Sequence, residues 1–299
     1  MKIIVTGSLG NIGKPLTQIL VKKGHQVTVI SSKKERKLAI EQLGATAAIG
    51  RMEDVDFLTK TFQGADAVYV MATLGHESFF DPKIDIVEEM TKLGRNYKIA
   101  IEKASIKKVI ELSAIGAHKN TGNGNLLFHY NIENILKQLP TDVSIKVMRP
   151  SGFYTNLLRS VASAKKDGII VSNYGGDQKE PWVSPLDIAD VIAEEMEKPF
   201  EGRTIRYIAS DEVSPNEIAA IIGKTIGKPE LNWHTITNQQ MLEGLDNMGM
   251  NKQAAKGLVN MQTAQGDGTL YEDYFQNKPI LGKVKLVDFA KEFALAYNK

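Results

Sequence analysis

Lys2-Ile3-Ile4-Val5-Thr6-Gly7-Ser8-Leu9-Gly10-Asn11-Ile12-Gly13 is the stretch whose reading decides the fold. Its first half is a short apolar run of strand-forming residues, and its second half is a glycine turn that opens a helix. The glycines are spaced Gly-x-x-Gly-x-x-Gly, and each has its own physical task. Gly7 permits a tight exit from the strand, Gly10 leaves the backbone open to a ligand, and Gly13 lets the new helix pack on the sheet. The first amides of a helix lack intrahelical partners, so the turn suits an anion such as a pyrophosphate.

Outward from this turn, β-rich runs alternate with helical segments. Strands are expected at Lys2–Thr6, Gln26–Ser31, Thr46–Ile49, Ala67–Ala72, Lys108–Ser113 and Ser144–Arg149. Helices are expected at Ile12–Lys23, Lys33–Leu43, Val55–Phe62, Ile84–Ala104 and Leu127–Leu139. Continuous apolar strands such as Val27-Thr28-Val29-Ile30 are buried on both faces, which indicates a parallel sheet between helical layers. The expectation is an α/β fold, a Rossmann-type doubly wound parallel sheet over residues 1–150. A smaller, mostly helical C-terminal lobe over residues 151–299 would follow, partly returning to the sheet through a strand at Thr204–Ala209. Its helices are expected near Pro185–Lys198, Pro215–Ile226, Asn238–Met248 and Leu286–Tyr297, with Gln253–Gly268 as a mobile segment.

Composition removes several function classes. A formal charge of +2 recruits neither nucleic acid nor an anionic membrane. Zero cysteines exclude disulfides and thiolate catalysis, and fit a reducing, cytoplasmic setting. Gly7 interrupts the N-terminal apolar run well short of a secretory signal. His25, His76, His118 and His234 are scattered without metal-ligand spacing. Neither a Gly-x-Ser-x-Gly elbow nor a Walker phosphate loop is present, since Pro15 follows Gly13-Lys14.

In a first β-turn-α unit the glycine turn reads as a dinucleotide site. NAD sites usually carry an acid at the end of the second strand. Here that strand ends Ile30-Ser31-Ser32-Lys33-Lys34-Glu35-Arg36, with two hydroxyls and three cations where a ribose 2′-phosphate would lie. NADP(H) is therefore expected over NAD(H), with Thr6, Gly7, Leu9, Gly10, Asn11, Ile12, Gly13, Ser31, Ser32, Lys33 and Arg36 in contact.

The glycine turn, Ser113 after the fifth strand, Arg149-Pro150-Ser151-Gly152-Phe153-Tyr154-x-Asn156, and Trp182-Val183-Ser184-Pro185-x-Asp187-Ile188-Ala189 together resemble the NmrA-like family. That family belongs to the atypical and extended short-chain dehydrogenase/reductases. The resemblance implies an NADP(H)-binding domain with a small C-terminal lobe. By the same resemblance Gly50, Arg51 and Met52 would flank the adenine, and Arg51 stands where relatives often have Asp. Met71, Ala72, Thr73, Ser113 and Phe153 would flank the ribose, pyrophosphate and nicotinamide.

The chemistry departs from the wider group, which uses a Tyr-x-x-x-Lys pair as its acid–base device. The corresponding helix reads Phe128-His129-Tyr130-Asn131-Ile132-Glu133-Asn134. His129 and Glu133 share a face at i and i+4, so His129 is expected as a proton donor raised by Glu133, with Ser113 orienting the substrate. The alternative is a helix pair with no chemistry. His76, Phe79, Phe80, Tyr154, Asn156 and Trp182 are expected to line a pocket for a flat substrate. Two functions follow: an NADPH-dependent oxidoreductase of a small acceptor such as a quinone, or a redox sensor that signals through a protein partner. A nucleotide-sugar epimerase is a third reading, disfavoured by the missing tyrosine.

Overall fold

The computed structural model describes residues 1–299. Its strands are β1 (Lys2–Val5), β2 (Gln26–Ser31), β3 (Thr46–Ile49), β4 (Ala67–Met71), β5 (Lys108–Leu112), β6 (Ser144–Pro150), β7 (Gly152–Phe153), β8 (Ile169–Ser172), β9 (Glu180–Val183), β10 (Arg203–Ile208), β11 (Asp211–Val213) and β12 (Asn232–Thr235). Helices α1 (Gly13–Lys22), α2 (Lys37–Gln42), α3 (Val55–Phe62), α4 (Ile86–Lys103), α5 (Leu127–Leu136) and α6 (Val161–Asp167) precede β8. The rest are α7 (Pro185–Glu197), α8 (Pro215–Thr225), α9 (Asn238–Asn247), α10 (Lys252–Gly266), α11 (Glu272–Gln276) and α12 (Leu286–Tyr297). No helix is long and apolar enough to cross a membrane.

Seven parallel strands form the central sheet in the order β10-β6-β5-β4-β1-β2-β3. This is the doubly wound sheet that the alternation predicts. The chain winds outward from β1 to β3, then returns to β1's other side as β4. The switch point lies at the carboxyl ends of β1 and β4, where such sheets open a crevice.

Alternate residues of each strand feed two buried layers. Ile4, Val68, Val70 and Val109 pack with Leu93, Tyr97 and Ile132 of α4 and α5. Ile3, Val5 and Tyr69 pack with Leu16 and Leu20 of α1 and with Ile188 and Ile192 of α7. A third cluster holds the C-terminal half together, with Tyr154, Trp182, Ile218, Ile222, Phe289 and Phe293 at its centre.

Three local expectations change. The helix expected over Lys33–Leu43 is a 3-10 turn, Lys34–Arg36, followed by α2, because the Ser31 hydroxyl accepts the Lys33 amide at 3.2 Å and holds the chain in a turn. Gln253–Gly268 is not a mobile segment but most of α10, whose Ala254, Ala255, Val259 and Ala264 are buried. Small side chains there let the helix approach its neighbours closely, which composition alone mistakes for looseness. The C-terminal half also carries short strands that lack an alternating pattern: β7, β9 and β11 form one sheet, β8 and β12 another.

Candidate functional site

At the switch point, sterics dictate two of the three glycines. Gly7 has φ +83°, and a Cβ there would meet Met71 Sδ at 2.3 Å. A Cβ on Gly13 would lie 2.0 Å from the Ser8 carbonyl oxygen. Gly10 differs: its nearest neighbour would be the Gly7 oxygen at 3.5 Å, an ordinary contact, so the fold itself leaves that position free. The amides of exposed Gly10 and Asn11 donate to no other group of the chain. Buried Thr6 ties the two strand ends together, its Oγ1 accepting the Met71 amide at 3.0 Å. Buried Ile12 and half-buried Leu9 anchor the turn in the core beneath α1.

Arg36 bends back to this turn. Its Nη1 donates to Ser8 Oγ at 3.1 Å, bridging the tip of β2 and the glycine loop. Ser8 itself sits at φ 57°, a left-handed conformation that non-glycine residues rarely adopt. Ser31 is buried beside it, while Ser32 and Lys33 are exposed. This rim is cationic and rich in hydroxyls. Beyond β3, Gly50 donates its amide to the Ser31 carbonyl at 3.0 Å. Arg51 is exposed and pairs with Glu53 at 3.2 Å, so it is drawn along the loop surface. Met52 is held by Asn96, whose Nδ2 donates to its carbonyl at 3.2 Å. The Tyr97 hydroxyl donates to the Met71 carbonyl at 2.6 Å and fixes the end of β4, after which Ala72 is half-buried and Thr73 exposed.

The expected His129–Glu133 pair does not exist. Glu133 turns inward, accepting Ser113 Oγ at 2.6 Å and both Arg149 Nε and Nη2 at 2.9 and 2.7 Å. Arg149 reaches on to Asp273 Oδ2 at 2.9 Å and the Tyr207 hydroxyl at 3.0 Å. His129 lies tilted against Phe128, 3.9 Å between ring centroids, and its Nδ1 has no partner. Burial and the Arg149 charge pull its pKa down to about 3, the opposite of the expected rise. That direction argues against a role as proton donor. Glu111, on the same face of β5 as Ser113, has neither carboxylate oxygen partnered. Burial, then the neighbouring Glu133 charge, push its pKa well up.

The pocket wall is also revised. Tyr154 is fully buried, with Phe289 at 5.4 Å and Trp182 at 6.4 Å between ring centroids. Trp182 points inward because its Nε1 donates to buried Glu180 at 3.1 Å. Both rings are core and line no open pocket. His76 and Phe80 pack ring on ring at 4.9 Å in the loop after β4, with Phe79 half-buried beneath. Asn156 is exposed, and Phe153 rests half-buried on the core cluster that also takes Leu9 and Met71. Ser8, Arg149 and Glu111 are among the polar residues of this region to which sequence reading gave no role. Arg149 and Glu111 carried a signal, as charges inside largely apolar strand runs.

The chain matches the model of the NmrA-like family over residues 1–293. An uncharacterised protein of Schizosaccharomyces pombe is 25% identical over 254 residues, covering 78% of this chain and 83% of that protein. Among solved structures, the NADPH-dependent quinone oxidoreductase of Escherichia coli complexed with NADPH superposes with a TM-score of 0.81 at 18% identity, covering 97% and 99% of the two chains. The Citrobacter sp. triphenylmethane reductase complexed with NADP(H) gives a TM-score of 0.77 at 19% identity, covering 97% and 99%.

Proposed function

This chain belongs to the NmrA-like family, and we propose that it is an NADP(H)-dependent reductase of a small flat acceptor such as a quinone. The observation that carries the reading is the Arg36–Ser8 bridge, which sets a guanidinium and a hydroxyl over the glycine turn. An arginine at this position suits a ribose 2′-phosphate, and β2 itself ends on Ser31, with Ser32 next, rather than on an acid. The free amides of Gly10 and Asn11 suit the pyrophosphate, and Gly10's open side admits it. Leu9, Met71 and Phe153 would border the rings. When bound, the reduced nicotinamide supplies a hydride.

The chain's own groups contribute orientation rather than protons. Ser113 commits its hydroxyl proton to Glu133, whose two oxygens Arg149 grips from the other side. With the pKa of His129 drawn down by burial, neither a Tyr-x-x-x-Lys pair nor a raised histidine supplies an acid on α5. An acceptor whose reduced form draws its proton from water fits such a site, which supports a quinone and disfavours an epimerase. The same lack of an acid supports a second reading, a redox sensor acting through a protein partner. Steady NADPH oxidation with a benzoquinone tests the choice: turnover supports the reductase, and micromolar cofactor binding without turnover with any acceptor supports the sensor.

A further inference from the structure

Asn251 spends a buried side chain on a loop of the other half of the molecule. It is 7% exposed and caps α10, its Oδ1 accepting the Gln253 amide at 2.8 Å and the Ala254 amide at 3.4 Å. Its Nδ2 meanwhile donates to the carbonyls of Asp81 at 2.6 Å and Ile84 at 2.9 Å. Its backbone amide donates to the Phe79 carbonyl at 2.8 Å. Two residues on, Gln253 Oε1 accepts the amide of Ile86, the first residue of α4, at 3.2 Å.

The loop so gripped, residues 72–85, leaves the carboxyl end of β4 at the switch point. Within the loop, His76–Phe80 form a short 3-10 turn that begins with the Ser78 amide on the Gly75 carbonyl, and Lys83 and Ile84 donate to Asp81. Phe79 and Ile84 pack on the core, while Gly75, His76 and Glu77 stand exposed. These bonds shape the loop locally, and its polar anchorage to the rest of the molecule comes from Asn251 and Gln253 of the α10 N-terminus. A cap alone could be Ser, Thr or Asp. Only an amide can accept from a helix N-terminus and donate to two carbonyls at once.

We propose that Asn251 is a positioning residue of the acceptor site, holding the loop of residues 72–85, with its paired His76 and Phe80 rings, as the outer wall of the crevice. The proposal rests on the reductase reading of that crevice. It also makes α10 and the crevice wall one mechanical unit, so a displacement of the C-terminal half changes acceptor binding before cofactor binding.

Asn251→Asp separates the two roles: it keeps the cap but sets a carboxylate against two carbonyl oxygens. Asn251→Ser, which also caps, is the second variant should the first not fold. Three quantities are measured: amide hydrogen exchange, NADPH affinity by fluorescence, and steady-state kinetics with a water-soluble benzoquinone. Expected are exchange in residues 72–85 faster by roughly tenfold, protection retained in α10, and NADPH affinity within about twofold of the parent. The benzoquinone KM should rise by roughly fivefold or more while kcat changes less. Unchanged exchange in residues 72–85, or an NADPH affinity that falls as much as the KM rises, overturns the proposal. If the parent chain turns over no acceptor, the reductase reading fails, and the exchange result alone decides whether Asn251 positions the loop.

Discussion

Arg149 closes on Glu133 as a two-pronged ion pair, Nε to Oε1 at 2.9 Å and Nη2 to Oε2 at 2.7 Å, with the side chains 4% and 1% exposed. A charge pair this deep is held by geometry, since desolvating both groups opposes the attraction. Here the geometry is complete: Ser113 takes a further lone pair of Glu133, and Tyr207 and Asp273 occupy the remaining arm of Arg149. Breaking it on one side strands a buried charge. Glu133→Ala is expected to lose roughly 3–5 kcal/mol of stability, read as a lower urea midpoint. A loss under about 1 kcal/mol, the range of an exposed pair, would contradict the buried network.

Gly10→Ala separates binding from folding. Its added methyl finds ordinary contact at 3.5 Å and the residue is exposed, so the urea midpoint should move little. NADPH affinity should fall at least roughly tenfold, because the methyl stands where the pyrophosphate approaches. Gly13→Ala is the contrast: its methyl meets a backbone oxygen at 2.0 Å, and the fold itself should suffer.

His129 should matter to acid stability and not to turnover. Its folded pKa, about 3, lies below the ordinary 6.5, so the unfolded chain takes up the proton first as pH falls. The stability from a neutral His129 is present above the ordinary value and is lost as pH drops from about 6.5 toward 3. His129→Phe should therefore flatten the decline of the urea midpoint between pH 7 and pH 4. The kcat profile should keep its shape; an inflection near pH 6.5 that the variant removes would restore His129 as a proton donor.

Glu111 has the opposite sign. Burial and the Glu133 charge raise its folded pKa, so the folded chain binds the proton more tightly than the unfolded one. Its contribution is fully present below the ordinary carboxylate value and is lost as pH rises. Glu111→Gln keeps the shape without the ionisation. The variant should gain stability over the parent at pH 8 and little at pH 5, compared by denaturant midpoints. A loss of stability at pH 8 would mean that an ionised Glu111 has a partner.

The sheet was legible because its signals are local. Apolar runs such as Val68-Tyr69-Val70 and the glycine turn both act within a few residues of themselves. The polar network was not, since Glu133 can reach either His129 on its own helix or Arg149 on β6, and the sequence cannot weigh a neighbour four residues away against one across a helix–strand interface. Burial decided it: a carboxylate in the core takes the guanidinium. Tyr154 and Trp182 failed for a related reason, because an aromatic ring in a motif carries no sign of which side of the strand covers it. Asn251 hid just ahead of an Ala- and Gln-rich stretch whose small residues signal close packing rather than mobility.

The central claim is that the Arg36–Ser8 rim selects a 2′-phosphate. It is tested most directly by fluorescence titration of the parent chain and Arg36→Ala with NADPH and with NADH. The account predicts tighter NADPH binding by the parent by roughly tenfold or more, as expected for a charge-assisted contact, and near-equal affinities for the variant. Equal affinity of the parent chain for both cofactors, or binding of neither, would contradict it.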